Sequence, residues 1–335
     1  MRRSAHGILA GLFLLIGVGL SVRVGAQAAP ATRTISIATL APPGSTWMRV
    51  FDAWNREVRR RSNKALQFRF YAGGVQGDEV EVIRKVRSGR LDGGAVTAVG
   101  LSQIHRPTLA FQIPGMFTGY DQLDRARTAL DHDISAAFES SGFVHVGWGD
   151  VGRSRIFSNG PVRTPRELAG TRPWVWRDDL VLPTFFQIVS ANPVGLQVPE
   201  VLSALQTNRI NAVITAPAVA VQLQWSTRVT HMTDIQIASV IAAVVIGRTQ
   251  WNSLPADQQA ILRETGLQFM ALARRNLRQD ETTALRTLAE HGITVVPLDA
   301  SQRAVWEGVF TQTRQRLTGQ IADAAFLSRV SSAAH

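Results

Sequence analysis

Two tryptophans, Trp174 and Trp176, alternate along a short predicted strand and are candidates for contact with a small molecule. Because successive side chains of a strand point to opposite faces, the two indole rings share one face. If that face borders a cleft, the rings offer apolar area and stacking to an organic ligand. The alternative is that one or both rings pack beneath a helix as part of the core.

Side chains that could support catalysis or bind a metal ion occur in patterns that favour structural roles. The carboxylate pairs Asp78/Glu79 and Asp178/Asp179 stand where helices are predicted to start, and helix capping explains them without chemistry. The histidines lack metal-ligand spacing, and the sequence contains no cysteine. The P-loop, Gly-x-Ser-x-Gly and His-Glu-x-x-His patterns do not occur. We therefore predict no enzyme, no cofactor and no metal site.

A helix-turn-strand unit that occurs twice must position the candidate residues. Its two copies correspond at one constant offset, through the pairs Val82/Val201, Val86/Leu205, Gly89/Asn208, Leu91/Ile210 and Asp92/Asn211. In each copy apolar residues recur at helical spacing, a residue that tolerates the left-handed conformation ends the helix, and a strand follows. Two such units predict two similar α/β lobes with a ligand cleft between them.

The first 26 residues have the features of a cleaved export signal. Arg2 and Arg3 supply the positive end, residues 8–18 form the apolar centre, and Val24-Gly25-Ala26 resembles a cleavage site. The apolar run is shorter than the ~20 residues that a membrane-spanning helix needs. We therefore expect a mature protein that begins near Gln27 and resides in the periplasm.

The chain is basic, with 36 Lys and Arg residues against 25 Asp and Glu residues. The densest run, Arg59-Arg60-Arg61, lies near the end of a predicted helix, where cations suit the helix dipole. No motif for nucleic-acid binding accompanies this charge. We interpret it as an arginine-rich surface and predict no nucleic-acid partner.

The order of predicted elements divides the mature chain into two connected lobes of an α/β fold. The predicted division is 27–152 for lobe I, 153–234 for lobe II, 235–290 for a return to lobe I and a long helix, and 291–335 for a C-terminal segment on lobe II. The helical pattern runs from Ser253 to Glu290, and at about 1.5 Å per residue it is long enough to brace both lobes. A break near Gly266 is the alternative.

A series of short motifs resembles one family of receptors. Residues 161–170, Asn192-Pro193-Val194 and residues 204–207 are similar, in this order, to motifs of the DctP-like solute receptors of TRAP transporters. These extracytoplasmic proteins hand organic acids to a sodium-driven membrane permease. The resemblance covers essentially the whole mature chain. It implies the periplasmic binding protein fold, with two α/β lobes, a ligand cleft, crossing strands and a long bracing helix.

At one position the sequence departs from the pattern of this family. Most members present an arginine on the strand after the first motif, and its planar fork pairs with the ligand carboxylate. Counting from Gly170, Trp174 stands at that position here. Residues 174–179, 215–217 and 223–225 resemble instead a tryptophan-containing subgroup, some of whose members are thought to act beside a tetratricopeptide-repeat partner. The departure argues against a conventional dicarboxylate or sugar acid as the ligand.

The resemblance also suggests further ligand contacts. A second arginine of the family precedes a pair that resembles Ser158-Asn159, and Arg155 matches its position best, with Arg153 as the alternative. A surface or hinge salt bridge is the competing role for Arg155. The other candidates occupy loop, strand-end or helix-start positions that line the pocket in related receptors: Trp47, Gln76, Val96, Phe117 and Thr215.

Together these features predict a periplasmic receptor that closes two lobes around a small organic acid and delivers it to a TRAP permease. Because Trp174 removes one fixed cation while Arg155 could keep another, we expect an anion with an apolar or aromatic body. The rival interpretation is a ligand-sensing periplasmic protein that reports to a signalling partner. An enzyme would require Asp178 or Asp179 to act as a catalytic group within the cleft.

Overall fold

Two β-sheets flanked by helices organise residues 32–335, the part of the chain that this computed structural model describes. The predicted export signal, residues 1–26, lies outside the described residues. Within residues 32–335, no helix has the length and apolar character needed to cross a membrane.

Eleven named strands and twelve α-helices follow one another along residues 32–335. The strands are β1 (Arg33–Thr39), β2 (Leu66–Tyr71), β3 (Gly93–Thr97), β4 (Phe143–Arg153), β5 (Arg155–Ser158), β6 (Trp174–Trp176), β7 (Val194–Leu196), β8 (Ala212–Thr215), β9 (His231–Thr233), β10 (Ser239–Gly247) and β11 (Thr294–Val296). The helices are α1 (Thr46–Arg61), α2 (Glu79–Arg87), α3 (Ala98–Ser102), α4 (Tyr120–Ser140), α5 (Pro165–Ala169), α6 (Val181–Ile188), α7 (Val201–Gln206), α8 (Pro217–Gln222), α9 (Arg248–Asn252), α10 (Ala256–Glu290), α11 (Ala300–Leu317) and α12 (Ala324–Ala334). Short 3-10 helices span Arg106–Gln112, Val198–Glu200 and Trp225–Arg228.

Each sheet forms the centre of one lobe. The five-stranded sheet of lobe I has the order β2-β1-β3-β10-β4, in which β1 pairs in parallel with β2 and β3, and β10 is antiparallel to β3 and β4. The sheet of lobe II has the order β11-β9-β5-β8. The two-stranded ladder of β6 and β7 is joined to it by a bridge between Pro173 and Ala212.

Two of the segments that cross between the lobes lie side by side and are hydrogen-bonded to each other. The first runs directly from β4 into β5, and the second runs from β9 into β10. At Ser154 the backbone N–H donates to the carbonyl oxygen of Ala238 at 2.8 Å, and the Ser154 carbonyl accepts from Ile237 N–H at 2.9 Å. Crossing strands and two α/β lobes are therefore present as predicted.

The duplicated unit is confirmed in its local geometry. Gly89 and Asn208 both have positive φ, 73° and 55°, in the left-handed region that ends a helix. Asp92 and Asn211, three residues further on, also correspond. Asp92 donates its backbone N–H to the Ser36 carbonyl, and Asn211 donates its own to the Arg172 carbonyl, both at 3.1 Å. Each side chain then accepts a hydrogen bond from the backbone N–H of the same partner residue.

The long helix α10 contains 35 residues without a break and extends ~50 Å. Gly266 does not interrupt it. The glycine allows the helix to pack closely on β4, since a Cβ there would lie 2.4 Å from Val146 Cγ1. Met270 belongs to the core of lobe I, and Leu288, near the other end, belongs to the core of lobe II. The helix therefore braces both lobes.

The C-terminal segment differs from the prediction that residues 291–335 lie on lobe II. Helix α11 does pack on α6 of lobe II, where Trp306 stacks on Phe185 with ring centroids 6.1 Å apart. Helix α12, however, packs on α4 of lobe I. Its Leu327 and Val330 are buried in the same core cluster as Leu123. The apolar face of α12 is complementary to α4, and the sequence spacing alone does not choose between the lobes.

Candidate ligand-binding site

A cavity of about 180 Å³ lies between the two lobes. Its walls come from β1, β3 and the start of α1 in lobe I, from β6, β8 and α8 in lobe II, and from the crossing segments. An engineered protein cavity of roughly 150 Å³ holds a benzene molecule, so this space accommodates a small organic ring.

Tryptophans form much of the cavity wall. Trp174, Trp176 and Trp225 contribute from lobe II, and Trp47 contributes from lobe I. The Trp174 and Trp225 rings meet edge to face with centroids 5.2 Å apart, and the Trp174 and Trp176 centroids are 6.1 Å apart. The Trp174 indole N–H donates to the Leu196 carbonyl at 3.1 Å, which fixes the ring and leaves its apolar surface for a ligand.

The ends of the two corresponding strands face the cavity from opposite lobes. Val96 and Thr97 of lobe I, at the end of β3, line it together with Thr215 and Ala216 at the end of β8. At the constant offset of the repeat, Val96 corresponds to Thr215 and Thr97 to Ala216. The duplicated unit therefore delivers equivalent backbone positions to both sides of the cavity.

None of the described residues that line the cavity is Lys, Arg or His. Arg155 is not among the lining residues, because its guanidinium pairs with Asp234 at 3.1 Å. Arg153, the alternative, pairs with buried Glu281 at 3.0 Å and packs over Tyr120. In this structure both arginines therefore form salt bridges and neither lines the cavity, which matches the competing role.

Among the described residues that line the cavity, Glu79 and Asp179 carry carboxyl groups, and amide groups at helix starts donate hydrogen bonds to both. Glu79 accepts hydrogen bonds from Thr97 N–H and Oγ1–H at 2.8 Å and from Gly100 N–H at 2.9 Å, at the start of α3. Burial of Glu79 raises its pKa to about 8. Asp179 accepts from Val181 N–H at 2.8 Å and Leu182 N–H at 3.2 Å, and burial raises its pKa too. Asp179 therefore caps α6 as predicted, whereas Glu79, the first residue of α2, accepts from the start of another helix, α3.

Two other predicted contacts lie outside the cavity lining. Gln76 is in the loop that precedes α2, where its backbone and side-chain oxygens accept from Lys85 Nζ at 2.7 and 3.1 Å. Phe117 is buried in the core of lobe I, stacked on Phe111 with centroids 6.1 Å apart. The structure thus brings together five of the eight predicted residues at the cavity: Trp47, Val96, Trp174, Trp176 and Thr215.

Gln112 and Trp225 are lining residues that were not among the predicted contacts. The Gln112 side-chain oxygen is buried and has no hydrogen-bond partner among the described residues. No motif surrounds Gln112, so the sequence offers no signal for it. Trp225, in contrast, belongs to a segment, residues 223–225, that had already been matched to the tryptophan-containing subgroup.

Residues 37–319 match the DctP family, described as bacterial extracellular solute-binding protein, family 7. The chain belongs to this family. Its predicted membership, and the prediction that it is a receptor and not an enzyme, are thereby confirmed. The tetratricopeptide-associated subgroup stays a prediction.

Curated relatives are distant in sequence. The chain is 22% identical over 213 residues to the C4-dicarboxylate-binding periplasmic protein DctP of Rhodobacter capsulatus, a match that covers 63% of this chain and 64% of that protein. It is 22% identical over 290 residues to the 2,3-diketo-L-gulonate-binding periplasmic protein YiaO of Escherichia coli strain K12, covering 82% and 84% of the two chains. The match to the Rhodobacter protein thus falls just short of two thirds of its length.

Solved structures resemble the fold closely. A TRAP periplasmic solute-binding protein from Shewanella oneidensis with bound succinate has a TM-score of 0.85 at 17% identity, covering 91% of this chain and 100% of that one. A sugar acid binding protein from Advenella mimigardefordensis in complex with galactonate has a TM-score of 0.86 at 15% identity, covering 91% and 99%. The predicted two-lobed α/β fold is confirmed.

Proposed function

We propose that this chain is the periplasmic receptor of a TRAP transporter for a small organic acid with an apolar or aromatic body. The observation that carries the proposal is the cavity between the lobes, which has a tryptophan wall and no cationic side chain among the described lining residues. Family membership supports the receptor role, and the cavity chemistry supports the ligand class.

The absence of a cation from the described lining disfavours ligands with two charges. Taking a carboxylate out of water without a charged partner costs several kcal/mol, and a dicarboxylate carries that cost twice. An apolar body recovers free energy instead, at about 25 cal/mol per Å² of buried apolar surface. The walls at Trp174 and Trp225 supply that surface. One acid group joined to a ring or alkyl chain therefore suits the cavity better than succinate.

Uncharged polar groups are available to receive the acid end of such a ligand. Gln112 has a buried side-chain oxygen with no partner among residues 32–335, which can accept from a ligand amide or a protonated acid, and its amide nitrogen can donate to a carboxylate. Thr215 presents a hydroxyl group from the opposite lobe. Neither group distinguishes strongly between an ionised acid and its amide. We therefore expect the primary amide of a good ligand to bind nearly as well as the acid.

Capture works through lobe closure. A ligand that touches Val96 in lobe I and Trp174 in lobe II makes both sets of contacts only when the cleft is shut. Ligand binding therefore shifts the population toward the closed form. A membrane permease can recognise the surface that closure creates, and delivery to it completes the transport role. Export by the predicted cleaved signal and assistance from a tetratricopeptide-repeat protein belong to the same proposal.

Native mass spectrometry of gently purified protein, followed by denaturing extraction, tests the ligand class. An apolar monocarboxylic acid recovered in stoichiometric amount would support the proposal, and a small dicarboxylate would contradict it. Calorimetric titration with 3-phenylpropionate and succinate provides the second readout. We expect Trp174→Arg to shift the preference toward succinate by on the order of tenfold, since it supplies a charged hydrogen bond. Trp174→Phe is the matched control and should leave the preference unchanged.

A further inference from the structure

We propose that Asp78 is a latch that fastens the two lobes across the mouth of the cleft and holds Trp176 in the cavity wall. The inference rests on the proposed receptor function only in assuming that ligand occupancy favours closure. The latch itself is a set of contacts between the lobes, and it can be tested without knowing the ligand.

The two carboxylate oxygens of Asp78 serve different lobes. Oδ1 accepts from Glu79 N–H at 2.7 Å, which caps α2 within lobe I. Oδ2 accepts from the Trp176 indole N–H at 3.0 Å and from Val198 N–H at 3.3 Å, both in lobe II. The capping bond does not depend on the position of lobe II, whereas the other two bonds exist only when the lobes meet.

The neighbouring chain segments also meet at this point. In lobe I, Gly74 lies in the loop before α2, with φ of 76°. A Cβ on Gly74 would lie 3.5 Å from Cγ of Pro199 in lobe II, which is van der Waals contact. Pro199 follows Val198, so this close approach of the two loops lies beside the hydrogen bond from Val198 to Asp78. The loop before α2 in lobe I and the segment 198–199 of lobe II are therefore close together at this edge of the cleft.

Burial makes these bonds important for closure. Asp78 is only 2% exposed in this structure, so its carboxylate has lost its water and depends on protein donors. A carboxylate hydrogen bond contributes more to stability than a neutral one, and a buried carboxylate without donors is costly. Burying Asp78 on closure is therefore favourable only if the Trp176 indole and the Val198 amide both donate hydrogen bonds to its carboxylate.

The position of Trp176 links the latch to the ligand. Its ring lines the cavity, and its N–H donates to Asp78. A ligand that packs on this ring therefore restricts the indole to the orientation that reaches Asp78. The latch in turn keeps the ring in place over the ligand, so each contact strengthens the other.

Distance measurements between spin labels test the latch directly. The sequence has no cysteine, so Ser88→Cys on lobe I and Ser203→Cys on lobe II, both exposed positions, can be labelled selectively. In the labelled protein as purified we expect a closed population. Asp78→Asn keeps an oxygen that can cap α2, but its NH2 group then faces the donors of Trp176 and Val198. Trp176→Phe keeps an aromatic ring and removes the indole N–H. Each should reduce the closed-to-open ratio by about tenfold.

Matched variants within one lobe control for general damage. Trp306→Phe also removes an indole donor, which in this case bonds to the Arg163 carbonyl at 2.9 Å inside lobe II. Asp299→Asn changes a helix-capping carboxylate far from the cleft, at α11. Both should leave the distance distribution unchanged. In a second readout, Asp78→Asn should accelerate hydrogen exchange of the Val198 amide, because that amide loses its acceptor.

The outcomes separate the latch from the receptor function. A wild-type protein with no closed population, or an unchanged distribution in Asp78→Asn and Trp176→Phe, would overturn the latch. If the latch variants open the protein although no organic acid binds or is recovered from it, the latch stands and the proposed ligand class fails. If organic acids still close both variants as fully as they close wild type, the latch fails and the receptor function stands.

Discussion

The two copies of the helix-turn-strand unit share a backbone plan but present different chemistry to the cavity. In lobe I the unit ends at Thr97, whose hydroxyl oxygen accepts from Val99 N–H at 3.3 Å and caps α3. In lobe II the corresponding residue is Ala216, whose methyl group cannot cap α8. Opposite Glu79, which accepts three hydrogen bonds in lobe I, lobe II offers Trp174 and its aromatic neighbours.

This difference separates what builds the cleft from what makes it selective. The repeated positions, such as the left-handed residues Gly89 and Asn208, set the direction of each strand toward the cavity. The unrepeated positions give the walls their chemistry: lobe I contributes polar and aliphatic groups and one indole ring, Trp47, whereas lobe II contributes three indole rings. A duplicated scaffold can therefore keep its architecture while the ligand preference of one wall changes.

The aromatic wall of lobe II should be the part most sensitive to truncation. Trp225 is 2% exposed and meets Trp174 edge to face, so Trp225→Ala should lower the free energy of unfolding by about 3–5 kcal/mol. The matched truncation in the wall of lobe I, Val96→Ala, removes two methyl groups and should cost about 1–2 kcal/mol. Urea unfolding followed by circular dichroism measures both. Equal losses would show that the two walls do not differ as described.

Exchange of one residue between the repeats should have the next largest effect. Gly94 in lobe I corresponds to Val213 in lobe II, and a Cβ at Gly94 would lie 2.8 Å from Val82 Cγ1. Gly94→Val therefore overpacks the contact between α2 and β3 and should cost about 1–3 kcal/mol. Gly195→Ala is the control, since a Cβ there meets nothing within 4 Å. A Gly94→Val protein as stable as wild type would mean that the two units pack alike.

A milder exchange concerns the polar residue that ends each turn. The Asp92 side chain accepts from Ser36 N–H at 2.8 Å and pairs with partly exposed Arg33 at 2.7 Å. The Asn211 side chain accepts from Arg172 N–H and has no ion pair among residues 32–335. Asp92→Asn should cost about 0.5–1.5 kcal/mol, and raised salt should shrink the difference because the Arg33 pair is screened. Asn211→Asp has no such pair to gain. Thermal unfolding at low and high salt tests the asymmetry.

Local elements were predictable from the sequence because local rules decide them. The strand β8 follows the second repeat helix as expected, α1 ends at the arginine run that was predicted to lie near a helix end, and Asp78 caps α2. The repeat itself was visible because glycine and asparagine are the residues that tolerate positive φ. Much of the fold therefore follows from spacing and turn chemistry.

The site was less predictable because long-range packing decides it. Arg155 was placed by counting along one strand, yet its partner is Asp234, 79 positions away in the sequence. Gln112 lines the cavity because its 3-10 segment packs against α3 and β10, and no local pattern marks such a residue. The apolar face of α12 likewise gave no information about which lobe it covers.

The last expected effect is a pH dependence that arises in the wall of lobe I. Burial raises the pKa of Glu79 to about 8 in the folded protein, while an unfolded glutamate titrates near 4.5. The folded state therefore binds the extra proton between these values, and the stability that Glu79 contributes is complete below pH 4.5 and is lost as pH rises through 8. The slope cannot exceed about 1.4 kcal/mol per pH unit for one proton. Glu79→Gln, which is neutral throughout, should remove this part of the slope in urea unfolding measured between pH 5 and pH 8. An identical slope in the variant would mean that another group takes up the proton and that Glu79 is ionised in the folded protein. The wall of lobe I would then carry a negative charge and repel the anionic ligand that lobe II is proposed to select.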